Sequence, residues 1–116
     1  MAKTFGSKKQ KGQRLEIRVA KAIRSKGLDP DARRMPCSGG FSHFKGDVST
    51  MIKYHIECKN TEKHRLWEEW EQAEAQCGFK TPVLVVSSNF RPDLAIIKLD
   101  DLLNLLKIEK DYLEDK

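Results

Sequence analysis

The chain has 116 residues, enough for one domain with a core of its own, and its 39% hydrophobic and 34% charged residues describe a water-facing protein. No apolar run approaches the roughly 20 residues of a membrane span, and the lysine-rich start lacks the apolar stretch of a signal peptide. The net charge of +5 is uneven: residues 1–34 hold eleven Lys or Arg against Glu16, Asp29 and Asp31, so that the remainder carries −3. A cationic first third on an otherwise near-neutral domain suits a polyanion, with phosphate contacts supplying affinity that does not depend on sequence.

Residues 1–11, with Gly, Ser and four lysines but no periodicity, are expected to form a mobile basic arm ahead of a single domain at 12–116. Between Gln13 and Lys26, Leu15, Val19, Ala22 and Ile23 recur at helical spacing, and Gly27 supplies the stop. Glu16 stands at the border of that apolar stripe, where a carboxylate can reach a neighbouring site while the stripe packs on a sheet. Residues 31–36 have strand character. Pro36, Cys37, Ser38, Gly39 and Gly40 then open a loop whose backbone can approach phosphates and whose Ser38 can donate to one.

Two strands follow near 47–51 and 54–59, joined by a turn at Ile52 and Lys53, a hairpin that brings Asp47 toward Glu57 and Lys59. The second strand alternates: Lys53, His55, Glu57 and Lys59 share one face, expected to be charged and open, while Tyr54, Ile56 and Cys58 share the other. Residues 65–77 predict a helix with Leu66, Trp70, Ala73 and Cys77 on one stripe, both tryptophans in core or interface, and Gln72 on another face. The apolar runs at 82–86 and 94–97 predict two buried strands around a turn at 87–92. Asp100 is expected to cap a last amphipathic helix through Leu102, Leu103, Leu105 and Leu106. The order is α-β-β-β-α-β-β-α: an α/β domain with a mixed sheet flanked by helices.

Two acids and a lysine gathered at one place are costly unless something binds them. One or two carboxylates, completed by water and a substrate phosphate, suit Mg²⁺, which can activate water and stabilise phosphoryl charge. Asp47 and Glu57 are therefore candidate metal ligands, the Cys58 backbone carbonyl a third, and Lys59 can orient water or screen the phosphate. The pattern points to metal-dependent phosphodiester hydrolysis, with Mn²⁺ as a substitute for Mg²⁺. Cys37, Cys58 and Cys77 are odd in number and widely spaced, which indicates reduced thiols and an intracellular protein. A zinc site from Cys37, His43, His55 and Cys58 lacks paired ligand spacing.

Glu16, Arg34, Ser38-Gly39-Gly40, Gly46-Asp47, Glu57-Cys58-Lys59 and Gln72, in that order, give the chain a resemblance to the PD-(D/E)XK nuclease superfamily. The similarity is to its small members related to archaeal Holliday junction resolvases and phage endonucleases. Gly46 stands where many members carry proline. The resemblance implies a restriction-endonuclease-like fold and a Mg²⁺-dependent DNA endonuclease, with Glu16 completing or orienting the metal shell and Gln72 among the catalytic residues. It also implies branched DNA as substrate and a homodimer. Lys8, Lys9, Lys11, Arg14, Arg34 and Ser38 are the candidate nucleic-acid contacts. The rival expectations are a restriction or defence-type nuclease on duplex DNA, and a non-catalytic nucleic-acid-binding protein of the same fold.

Overall fold

A computed structural model describes residues 8–35 and 47–115. The elements follow the expected order: α1 (Lys8–Ser25), β1 (Arg33–Arg34), β2 (Val48–Ser49), β3 (Tyr54–Asn60), α2 (Leu66–Gln76), β4 (Thr81–Ser87), β5 (Leu94–Ile96) and α3 (Leu99–Glu114). The main sheet runs β3-β4-β5, with β3 and β4 parallel and β4 and β5 antiparallel; β1 and β2 form a separate antiparallel ribbon. This is a mixed α/β architecture compatible with a restriction-endonuclease-like fold.

The two helices cover opposite faces of the sheet. Leu15, Ala20 and Ile23 of α1 pack on Val48, Ile56, Cys58 and Val85, whereas Trp70 and Ala73 of α2 pack on Leu84 with Val86 beside it. The alternation of Val83 and Val85 toward one helix with Leu84 and Val86 toward the other explains why β4 is apolar from residue 82 to 86. The parallel register sets Ile56 beside Val83, Glu57 beside Leu84 and Cys58 beside Val85, so Glu57 belongs to the α2 face.

The charged face of β3 is consequently not open. His55 and Glu57 are 5% and 4% exposed, roofed by α2; on that face Lys59 at the strand end is half-buried, and Lys53, just before the strand, is exposed. Parallel strands lie inside a sandwich of helices, and a polar alternation does not reveal that second cover.

Helix α1 stops where glycine predicts. Gly27 adopts φ +75°, and the Leu28 and Gly27 amides donate back to the Ile23 and Arg24 carbonyls at 3.1 and 3.0 Å, the pair of hydrogen bonds that closes a helix on a left-handed residue. Its start differs from expectation: residues 8–11, assigned to the arm, are helical, and Lys11 is buried. Residues 1–7 of the arm lie outside the described residues, as do the Pro36–Gly40 loop with Cys37 and Ser38, and also His43 and Gly46.

Three further expectations are corrected. The hairpin between 47–51 and 54–59 is no ladder, because β2 spans only Val48–Ser49 and pairs with β1. Strand β5 is exposed at Leu94 and Ala95 rather than buried, since no described helix crosses that edge. Asp100 does not cap α3: the helix begins after Lys98, in extended conformation without a side-chain cap, and Asp100 and Asp101 fall in its first turn, where their charge suits the helix dipole.

Candidate active site

Asp47 is placed by two backbone bonds, one on each side. Its amide donates to the Ile56 carbonyl at 3.1 Å, and its carbonyl accepts from the Met35 amide at 2.9 Å, tying β3 to the strand end at β1. Its carboxylate then does what a strand carbonyl would otherwise do, because Oδ2 accepts the Cys58 amide at 2.7 Å. The expected hairpin is thus replaced at this point by a side chain bonded to the edge of β3. The N–H and C=O of one strand residue point to the same edge, so the Cys58 carbonyl faces the Asp47 side too.

A second buried acid comes from the α2 face. Glu57 Oε1 is hydrogen-bonded to His55 Nε2 at 3.0 Å, and its charge acts on the Asp47 carboxylate close by. The third acid, Glu16, is buried on α1, and its Oε1 accepts from Arg34 Nε at 3.1 Å. Arg34, expected on a nucleic-acid surface, is therefore bound to the acidic centre.

Burial, with repulsion between neighbouring carboxylates, shifts two of these acids, Glu16 and Asp47, toward the neutral form. Burial, then the charge of Asp47, raises the Glu16 pKa to about 7 against the opposing pull of Arg34. Burial and the charge of Glu57 raise that of Asp47 to about 6, while the Cys58 amide and the Lys59 ammonium pull it down. Excess negative charge at a buried site with too few cations is the condition that a divalent metal relieves.

The oxygen donors Asp47, Glu57 and the Cys58 carbonyl suit a hard cation such as Mg²⁺. Among the described residues there is no group of three or more His, Cys, Asp or Glu side chains arranged to hold a metal, so Glu16 does not join Asp47 and Glu57 as a third side-chain donor in this arrangement. Zinc fits poorly: Cys58 faces the α1 core and His55 the opposite face, and burial among acids pushes the Cys58 thiol far up.

Lys59 opens onto a groove of about 400 Å³ that Lys63, Arg65, Glu68, Glu69 and Gln72 also line, with Arg65 paired to Glu68 at 3.6 Å. Gln72 thus does use a face of α2 away from Trp70 and Ala73, and it shares a groove with Lys59. On the far side of the strand ends, Lys11, Arg14, Arg18 and Arg91 line a polar concavity of about 390 Å³ between α1 and the β4–β5 turn. Lys11 and Arg14 were expected contacts; nothing is described of the side chains of Lys8 and Lys9.

Sequence reasoning missed Arg18, Arg91 and Asn60. Arg18 grips Asp93 with two bonds at 2.9 and 3.0 Å, and Asn60 Nδ2 donates to the Lys11 carbonyl at 3.1 Å, fastening α1 to the end of β3. Asn60 directly follows Glu57-Cys58-Lys59, and a polar residue ending that strand was the available signal. Asp29 was missed as well, although it is 3% exposed and accepts from Thr50 Oγ1 at 2.6 Å and from the amides of Met51 and Asp31 at 2.8 and 2.9 Å. It pins the turn that carries β2 past β3. These three bonds hold its carboxyl below the ordinary range.

The family model described as Phage putative PDDEXK endonuclease matches residues 7–115. No curated protein and no solved structure matches the chain.

Proposed function

The chain belongs to the phage PDDEXK endonuclease family, and with it to the PD-(D/E)XK superfamily; from that premise we propose a Mg²⁺-dependent DNA endonuclease that prefers branched DNA, in the manner of a junction resolvase. The observation that carries this reading is Asp47 seated on the Cys58 amide at 2.7 Å, beside the buried Glu57, with Lys59 two residues beyond Glu57 on the same strand. Asp47, Glu57 and the Cys58 carbonyl are the residues that would hold the cation. When bound, it supplies charge neutralisation at the phosphoryl group and a water of lowered pKa.

The remaining work falls to the chain itself. The Lys59 ammonium, at the half-buried strand end, faces the scissile phosphate and the attacking water. Glu16, fixed by Arg34, takes up or releases a proton near neutrality and orients the other acids. His55 holds Glu57 in position from below. The Lys11–Arg14–Arg18–Arg91 concavity and the Lys59–Lys63–Arg65 groove lie on either side of the strand ends and receive the DNA backbone through phosphate contacts. No segment of the described residues resembles a sequence-reading module, which favours recognition by shape. Cutting both strands of a junction requires two such sites, and hence a homodimer.

Incubation with four-way junction, flap, single-stranded and linear duplex DNA, with Mg²⁺, with Mn²⁺ and with EDTA, tests each part. Cleavage of the junction ahead of the others, abolished by EDTA, is expected. Equal cleavage of linear duplex would favour a restriction or defence-type enzyme, and full activity in EDTA would remove the metal mechanism.

A further inference from the structure

Helix α3 has sixteen residues and not one of them is buried among the described residues. Eight apolar side chains from Leu99 to Leu113 are 40–68% exposed; the five on one face expose on the order of 500 Å², and Leu66 and Trp67 beside the helix base bring that face to about 750 Å², near what each partner contributes to a standard interface. At 100° per residue, Leu99, Leu102, Leu103, Leu106 and Leu113 fall within an arc of about 100° that also holds Lys110, drawn toward its edge by the ion pair with Glu114, the seam of a helix that packs along another. Monomers rarely expose so much contiguous apolar surface without a use for it.

We infer that α3 is the dimerisation helix, packing antiparallel against α3 of a second copy. This names a surface for the paired sites of the reading above, and so rests on that reading for its purpose, though not for its physics. The seam does not end with the helix. It runs into an apolar groove of about 250 Å³ at its base, lined by Leu66, Trp67, Trp70, Ile96, Ile97 and Leu99. Trp67 is 73% exposed there. A twofold pairing covers helix and groove in both copies at once, because the same patch meets itself.

Charge selects the occupant and its direction. The polar arc carries Asp100, Asp111 and Glu114, and the first turn is acidic, which disfavours an anionic membrane surface. A parallel pair would set the acidic first turns against each other. An antiparallel pair separates them, brings each toward Lys107 and Lys110 of the other copy, and opposes the helix dipoles.

Light scattering on the eluting full chain, repeated from low to high micromolar concentration, reads the mass. The wild type should be twice 13.4 kDa. Leu102→Gln combined with Leu106→Gln keeps good helix formers and removes no core contact, so circular dichroism should hold while the dissociation constant rises roughly 100-fold. Asn104→Gln on the polar arc should leave the mass unchanged. A wild type that stays monomeric, a dimer that survives the double substitution, higher-order assembly, or monomers that instead sediment with phosphatidylcholine vesicles would each overturn the inference. The mass is measured without DNA or metal, so a dimer that cuts nothing would refute the nuclease reading alone.

Discussion

Glu57 and Asp47 serve the site in different ways, and substitutions must respect that. Glu57 is buried against His55, so Glu57→Ala leaves a ring nitrogen without its partner and should cost about 1–3 kcal/mol, whereas Glu57→Gln keeps a hydrogen-bonding group and should hold the fold while abolishing cleavage. Asp47→Asn likewise keeps an acceptor for the Cys58 amide; cleavage should fall by several orders of magnitude, while DNA affinity in EDTA holds or rises because a charge that repels phosphate has gone. Cleavage rates, EDTA affinities and thermal midpoints on these three variants check this, and wild-type rates from both Glu57→Gln and Asp47→Asn would refute the site. The pH behaviour of the metal-free protein follows from the same acids. Folded pKa values of about 7 for Glu16 and about 6 for Asp47 lie above those of the unfolded chain, so the native state retains protons that the unfolded state has lost. Below the unfolded values neither acid penalises folding; between about pH 4 and 7 stability falls as both are forced to ionise. Urea midpoints in EDTA should therefore drop from pH 5 to pH 8, and Glu16→Gln should flatten the drop. Asp29 and Asp93, with lowered pKa values, act in the opposite sense and lose their contribution only as the solution is acidified below the ordinary carboxylate range.

At the scale of elements, the reading of the sequence succeeded where a local rule dominates and failed where a second neighbour decides. Gly27 ended α1 because only a left-handed residue closes that helix without strain, and a Cβ there would meet nothing within 4 Å, so Gly27→Ala should cost about 1 kcal/mol through backbone strain alone and leave cleavage unchanged. The periodicity of β3 separated Ile56 and Cys58 from Glu57 and Lys59 correctly, since alternation is intrinsic to a strand. It could not show that α2 covers the second face, because Trp70 and Ala73 meet Leu84 only after the crossover forms. The hairpin was misread for a similar reason: nothing local says that the Asp47 carboxylate will replace a backbone acceptor, or that Asp29, eighteen residues upstream, will hold the turn. Asp29→Ala leaves the Thr50 hydroxyl and two amides without their acceptor and should destabilise by about 3 kcal/mol, with a loss of cleavage through displacement of Asp47 although Asp29 lies outside the acidic centre. A urea curve and a cleavage assay on this variant separate it from Gly27→Ala, which should show the first effect only.

For the whole molecule, the charge asymmetry legible in composition becomes a located surface. The basic first third does not act as a free tail throughout: Lys11 is anchored near Glu62 at 3.4 Å, its carbonyl is bonded by Asn60, and α1 already begins at Lys8. Deleting residues 1–11 would therefore cut into the fold, and a clean test of electrostatics has to use side chains on the formed surface. Arg14 and Arg91 are exposed on opposite walls of the concavity beyond the strand ends, one from α1 and one from the turn after β4, and neither belongs to the acidic centre. Each phosphate that such a cation neutralises releases condensed counterions, steepening the dependence of log affinity on log salt by about 0.9 on duplex DNA. Arg14→Gln with Arg91→Gln should thus weaken binding in EDTA and flatten that slope by roughly 2, with the thermal midpoint nearly unchanged because both residues are exposed. Lys59→Ala belongs to a different class: it removes one cation beside Asp47, should abolish cleavage, and should change the slope by no more than about 1. If instead the slope stays at its wild-type value in Arg14→Gln/Arg91→Gln, the DNA does not cross this concavity, and the Lys63–Arg65 groove on the other side of Lys59 becomes the path for the backbone.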